Sequence, residues 1–143
     1  LIDAGCEYQN YAADITRTFP VNGKFSVEQA AIYDVVLKAQ ADAIAMIGPG
    51  IEYNKTNEAT IRTITQGLVD LGLLQGDVDE LIANEAHREF YMHGAGHWLG
   101  MDVHDVGKKI GRFDCLGCAC RPVLHGLNES VQFALRASFL GEW

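Results

Sequence analysis

The chain has 143 residues, a formal net charge of −8 and 48% hydrophobic residues. This length fits one domain, and the ordinary globular composition argues against disorder. The acidic balance argues against a nucleic-acid groove or an anionic membrane face, and no stretch approaches the ~18 uninterrupted apolar residues of a membrane span. The sequence starts on Leu1, so we interpret it as a fragment. It shows no signal peptide, so we expect it in the cytoplasm.

The first predicted elements are two short strands, over residues 1–5 and 11–19. A polar bend over residues 7–10 joins them, and the proline and Asn-Gly pair within residues 20–23 mark the exit turn. The chain is therefore predicted to open with an antiparallel hairpin.

Helices are predicted after the hairpin. Ser26 stands three residues before Gln29, which is the pattern of a capping box. One apolar helical stripe follows it, formed by Ile32, Val36, Ala39, Ala43 and Met46. A second amphipathic helix is predicted over about residues 56–71, and a short third one over residues 77–82, where acidic side chains favour the first turn.

The remaining sequence divides into two parts. Residues 90–106 are glycine-rich and hold three of the five histidines, which predicts strands and turns. The order of these elements is a hairpin, then helices, then further strand. This order favours an α+β fold with antiparallel strands and flanking helices over a doubly wound parallel sheet. Acidic side chains dominate residues 1–107, whereas basic side chains and three of the four cysteines fall in residues 108–143. We therefore predict two differently built segments.

The first candidate site pairs Asp3 with Asp14. If the bend centres on Tyr8 and Gln9, these two carboxylates lie directly opposite each other on one face of the hairpin. Two carboxylates that close repel each other unless a cation lies between them, and a hard divalent cation would suit them. The alternative is that one or both side chains simply point into water.

The second candidate site contains three histidines. His93 and His97 flank a Gly-Ala-Gly run, and His104 follows. The glycines argue against a helix, and in an extended backbone residues 93 and 97 face the same side. A purely structural or surface role for these histidines is the alternative interpretation.

Aspartate and histidine together suit a metal of borderline hardness, such as Mn²⁺, Zn²⁺ or Co²⁺. Two such ions bridged by carboxylates activate water for attack, and neighbouring histidines bind a carbonyl oxygen or move a proton. The residues therefore favour metal-assisted hydrolysis and leave the substrate open.

Cysteines form a third cluster near the carboxyl end. Cys115, Cys118 and Cys120 lie close to His125. Their spacing fits no standard zinc framework, so we interpret them as free thiols in a poorly ordered tail, with a zinc knuckle as the alternative. Cys6 has no obvious mate, and the cysteines do not demand an oxidising compartment.

Several segments resemble the metal-binding half of aminopeptidase P, the family of Xaa-Pro aminopeptidases related to prolidase and methionine aminopeptidase. The resemblance covers residues 1–107 and rests chiefly on Asp3-Ala-Gly-Cys-Glu-Tyr8, Ala13-Asp-Ile-Thr-Arg-Thr-Phe-Pro20 and Tyr91-Met-His-Gly-Ala-Gly-His-Trp-Leu-Gly-Met-Asp-Val-His-Asp-Val-Gly107. It implies a partial pita-bread fold. It also implies a site for two metal ions, typically manganese, and cleavage before a penultimate proline.

The resemblance assigns a role to each matched residue. Asp3 is similar to the ligand of one metal, Asp14 to the carboxylate that bridges both metals, and His97 to the histidine ligand of the second metal. His93 and His104 match histidines that help to bind substrate and stabilise the tetrahedral intermediate. The implied catalytic residues are thus His93 and His104.

The family pattern is incomplete here. Its two glutamate ligands follow the last matched segment, and neither Glu129 nor Glu142 lies in a matching motif. We therefore interpret residues 108–143 as a divergent, replaced tail and expect the chain to hold one metal ion or none. Two functions remain open. One is an Xaa-Pro aminopeptidase acting on peptides with a penultimate proline; the other is an inactive fragment that binds metal, peptide or a partner subunit. A homo-oligomer is also left open.

Overall fold

The computed structural model describes residues 1–106. The predictions for residues 108–143, including the cysteine cluster and the replaced tail, lie outside these residues. The elements in chain order are β1 (Ile2–Asp3), β2 (Glu7–Tyr8), β3 (Tyr11–Ala12), β4 (Thr16–Arg17), α1 (Val27–Ala45), α2 (Asn54–Asp70), α3 (Val78–Ala83) and a 3₁₀ helix (Ala86–Glu89). None of the helices within this part of the chain is both long and apolar enough to cross a membrane.

The opening hairpin forms in a register that differs from the prediction. Strand β1 pairs antiparallel with β4, and β2 pairs with β3. The turn residues are Gln9 and Asn10, both with positive φ (53° and 67°). Two consecutive positive φ angles define the two-residue turn that matches strand twist, and asparagine tolerates this conformation well. The bend therefore centres one residue later than predicted, so Asp3 lies opposite Thr16 rather than Asp14.

The corrected register keeps the two aspartates on one face. Ala4 N–H donates to the carbonyl of Ile15 (3.0 Å), and Ala13 N–H donates to the carbonyl of Cys6 (2.8 Å). This ladder places Gly5 opposite Asp14, which makes Asp14 a diagonal neighbour of Asp3 on the same side. A Cβ atom on Gly5 would lie 1.9 Å from the carbonyl oxygen of Ala13, so this close approach requires glycine.

Residues 1–10 are all exposed. Asp3 therefore lies in an exposed run of the hairpin. A two-stranded ribbon has no inner strand, and hydrophobic residues in it are buried only where another layer covers them. Ile2, for example, remains 50% exposed.

Helix α1 begins as the sequence predicts. The Ser26 side chain accepts a hydrogen bond from Gln29 N–H, and the Gln29 side chain accepts one from Ser26 N–H, which completes the capping box. Val36, Ala39 and Ala43 of the predicted stripe are buried. Met46 is exposed, because it lies at the C-cap, where the helical repeat ends.

Helix α2 packs against α1 and supplies most of the core. Ile64 and Leu68 are 1% and 2% exposed, and they pack with buried residues of α1 and of the segment after the 3₁₀ helix, namely Val36, Ala39, Phe90 and Tyr91. Gly67 permits this close approach, since a Cβ there would lie 2.5 Å from a methyl group of Val35. The predicted second helix is confirmed, although Leu71 lies outside it as an exposed C-cap.

The third helix starts one residue after the predicted position. Asp77 is its N-cap, and its carboxylate accepts hydrogen bonds from the N–H groups of Asp79 and Glu80. An aspartate side chain at this position satisfies backbone donors that the helix itself leaves unpaired. The described residues thus combine antiparallel strand pairs with helices, as the α+β prediction requires.

Residues 90–106 contain less strand than predicted. One isolated antiparallel bridge joins Trp98 to Asp105, and bends and turns make up most of the remainder. The bridge closes a loop that carries His104. The glycines at positions 94 and 96 account for the irregular backbone, because residues without a side chain gain little from strand packing.

Candidate metal centre

A buried aspartate and a buried histidine meet across the fold. Asp14 precedes β4 and is 3% exposed, whereas His97 lies 83 residues further along the chain and is 7% exposed. His97 Nε2 is 2.8 Å from Asp14 Oδ2. The opening hairpin and the glycine-rich segment thus each supply one polar group to a common, largely dry site.

The other ring nitrogen of His97 determines the state of this pair. His97 Nδ1 lies 3.0 Å from the carbonyl oxygen of Trp98, and because a carbonyl can only accept, Nδ1 carries the proton. In the neutral imidazole, Nε2 is then a lone-pair acceptor that faces a carboxylate oxygen. A lone pair and a carboxylate oxygen at this distance need a proton or a cation between them. A backbone carbonyl that fixes the opposite nitrogen is also the usual arrangement around a metal-binding histidine.

The second carboxylate oxygen of Asp14 is further evidence that this site suits a cation. Asp14 Oδ1 is buried and has no hydrogen-bond partner among the described residues. A buried carboxylate oxygen without a donor is costly, and a divalent cation would compensate it. The residues present therefore fit a metal ion, with Asp14 Oδ1 and the oriented His97 Nε2 as the first donors.

His104 completes a group of three potential ligands. One ligand atom each of Asp14, His97 and His104 lies within 4.8 Å of the others. The two imidazole rings are stacked, with centroids 3.9 Å apart and planes inclined by 8°. His104 is exposed and so is open to a bound molecule.

Asp3 and His93 lie outside this three-residue group. Asp3 is exposed at the edge of the hairpin, diagonal to Asp14 on the same face. His93 is exposed while His97 is buried. The prediction that the two face the same side assumed an extended backbone, and bends at His93 and Ala95 interrupt that backbone. The roles of Asp3 and His93 stay predictions.

An aromatic pair flanks the site on one side. Tyr53 stacks on Trp98, with ring centroids 5.9 Å apart. Burial raises the pKa of Tyr53. The pKa of Tyr91 is also raised, mainly by burial and to a smaller extent by the neighbouring Tyr53. Both phenols therefore stay neutral at physiological pH. The Tyr53 ring that stacks on Trp98 is therefore uncharged.

Two positioning contacts were not predicted from the sequence. Asn57 of α2 accepts a hydrogen bond from Ala95 N–H at 3.0 Å. The Asp105 carboxylate accepts from the N–H groups of Val106 (2.6 Å) and Asp102 (3.4 Å) in the loop that carries His104. The only available signal for Asn57 was a poor helix former in the first turn of a predicted helix.

Comparisons with known proteins agree with this geometry. The sequence profile of metallopeptidase family M24 matches residues 1–124. The Xaa-Pro aminopeptidase of Haemophilus influenzae is 65% identical over 107 residues, which are 75% of this chain and 25% of that protein. The Xaa-Pro aminopeptidase of Escherichia coli is 58% identical over 107 residues, 75% of this chain and 24% of its own length. The chain thus spans about a quarter of the length of these curated relatives.

Solved structures show the same fold. The aminopeptidase PepP of Pseudomonas aeruginosa superposes with a TM-score of 0.72 at 67% identity, over 74% of this chain and 24% of that one. A zinc-substituted Escherichia coli aminopeptidase P in complex with product gives 0.74 at 53% identity, over 77% and 26%. The predicted partial pita-bread α+β fold is therefore confirmed. With a family profile that matches most of its length, the chain belongs to metallopeptidase family M24.

Proposed function

We propose that this chain is part of a divalent-metal-dependent aminopeptidase that releases the first residue from peptides with proline in second position. The observation that carries the proposal is the buried contact between Asp14 and His97, in which the Trp98 carbonyl turns the lone pair of Nε2 toward a carboxylate. The relatives named Xaa-Pro aminopeptidase supply the substrate class.

The residues of the site have two kinds of role: some would bind the cation, and others would bind the peptide or transfer a proton. Asp14 and His97 would hold the cation, and Asp3 would join them from the same face of the hairpin. When bound, a divalent cation supplies positive charge that polarises a peptide carbonyl and favours attack by water. His104 stacks on His97 and is exposed, so its free edge would donate to the carbonyl oxygen of a bound peptide or move a proton. His93 would contact the peptide from the exposed side of the same segment.

We propose Mn²⁺ as the ion, with Zn²⁺ and Co²⁺ as alternatives. One carboxylate and two imidazoles form a donor set of borderline hardness, which Mn²⁺, Co²⁺ and Zn²⁺ all accept. The Escherichia coli relative has been described in a zinc-substituted form, which applies to that protein. Titration of the full chain with each ion would rank them.

Peptide turnover tests the proposal directly. The full chain, supplied with Mn²⁺, is incubated with an Xaa-Pro-Xaa tripeptide, and release of the first residue is measured by chromatography. A tripeptide with alanine in second position serves as the substrate control, and His97→Ala serves as the protein control. Release that requires proline and disappears in the variant is the expected result.

The alternative function predicts a different outcome. A chain that binds Mn²⁺ through His97 without releasing any residue would be a metal-binding fragment, as the two unmatched glutamate ligands suggest. A chain that neither turns over peptide nor binds Mn²⁺ would contradict both interpretations.

A further inference from the structure

A single side chain of α2 anchors the segment that carries His93 and His97. Asn57 Oδ1 accepts a hydrogen bond from Ala95 N–H at 3.0 Å, between residues 38 positions apart. Asn57 lies in the first turn of α2 and is half-buried. This contact therefore ties the glycine-rich segment to the helical part of the fold, where the main core lies.

Ala95 is the fixed point of that segment. It is 3% exposed and packs in a small cluster with Ala43 of α1 and with Ile47. Its neighbours on both sides are glycines, which offer no side chain for packing and leave the backbone free to rotate. The position of His97, two residues further on, depends on how Ala95 is held.

The hydrogen bond at Ala95 is directional, whereas its packing is not. The Ala95 methyl group packs against Ala43 and Ile47, and this packing alone permits the segment to rotate about the contact. The amide-to-amide bond restricts that rotation because hydrogen bonds weaken steeply when they bend. This restriction limits where the His97 ring can lie relative to Asp14, whose Oδ2 is 2.8 Å from Nε2.

We propose that Asn57 is a positioning residue of the metal centre, which acts by holding Ala95 so that His97 faces Asp14. The inference rests on the proposed metal-binding function. Hydrogen-bond partners that orient a metal ligand change metal affinity by about 10-fold to 100-fold when they are removed. A purely structural role would lower the stability of the fold and leave the metal affinity of the folded protein unchanged.

The test is a calorimetric titration of the full chain and its variants with Mn²⁺. Asn57→Leu keeps the side-chain volume and removes the acceptor, so its affinity should be about tenfold weaker or more. Asn57→Asp keeps an acceptor oxygen in the first helical turn, where negative charge is favourable, and should remain within about threefold of the wild type. Asn54→Leu, at an exposed position in the same turn, is the matched control and should also remain close to the wild type. Circular dichroism at the titration temperature confirms that each variant is folded, with Asn57→Ala as a milder replacement for the leucine variant.

The outcomes separate the two proposals. If the wild type binds Mn²⁺ and Asn57→Leu binds it equally well, the role of Asn57 is overturned and the proposed function stands. Equal weakening in Asn57→Asp or in Asn54→Leu would also overturn it, because the acceptor oxygen would then not be the cause. If the wild type binds no Mn²⁺, the proposed function fails and this inference fails with it.

Discussion

The helical part of the fold and the opening hairpin differ in how they are held. Helices α1 and α2 bury Ile64 and Leu68 almost completely, whereas residues 1–10 of the hairpin are all exposed. Yet the hairpin supplies Asp14, the most buried carboxylate of the candidate site. The contact of Asp14 with His97 joins the hairpin to the glycine-rich segment, which Asn57 ties to the helices. The comparison teaches that stability lies mainly in the helices, while the chemistry depends on how the hairpin is docked against them.

The largest difference between the two regions should appear on deletion of one isoleucine side chain from each. Ile64→Ala removes a buried side chain from the helical core and should lower the free energy of unfolding by about 2–5 kcal/mol. Ile2→Ala, in the half-exposed strand β1, should change it by about 0.5 kcal/mol. Urea denaturation of both variants measures the difference, and equal losses would show that the hairpin contributes as much as the helices.

A smaller effect is expected at the start of α1. Ser26→Ala removes the side-chain acceptor of the capping box and should lower the free energy of unfolding by about 1 kcal/mol. Ser26→Asp retains an acceptor and should stay close to the wild type in the same urea titration. A loss of the same size in both variants would mean that the serine acts through something other than the cap.

The smallest effect concerns pH and the 3₁₀ helix. Burial, and then the charge of Arg88, lower the pKa of His87 below its usual value, while Glu85 opposes the shift. The unfolded chain therefore binds this proton more readily, and stability is lost as the pH falls below the ordinary histidine pKa of about 6.5. Between pH 7.5 and 5.5, the wild type should lose more unfolding free energy than His87→Gln. Parallel losses in urea titrations at both pH values would show that His87 does not sense the proton.

Local signals made the helical region predictable from the sequence. The capping box at Ser26 and the stripe through Val36, Ala39 and Ala43 depend on residues close together in the chain, and the structure confirms them. The resemblance identified the family, and Asp14 and His97, which the resemblance had matched to metal ligands, meet in the structure.

The hairpin register and the orientation of the histidines were harder to predict. A shift of the turn by one residue moved the partner of Asp3 from Asp14 to Thr16, because the positive φ angles fall at Gln9 and Asn10. The extended backbone assumed for the glycine-rich segment is interrupted by bends at His93 and Ala95. Such features depend on contacts across the fold, and the sequence pattern records them only weakly.

The central claim is that Asp14 and His97 face each other in order to share a cation. Unfolding of the wild type and Asp14→Asn in urea, with and without Mn²⁺, tests this claim most directly. The asparagine amide can donate to His97 Nε2, so without metal the variant should be at least as stable as the wild type. Mn²⁺ at one hundred times its dissociation constant should stabilise the wild type by about 2.7 kcal/mol and leave the variant unchanged. A metal-free variant less stable than the wild type by about 1–3 kcal/mol, with no response of the wild type to Mn²⁺, would instead indicate an ionic pair that serves the fold alone.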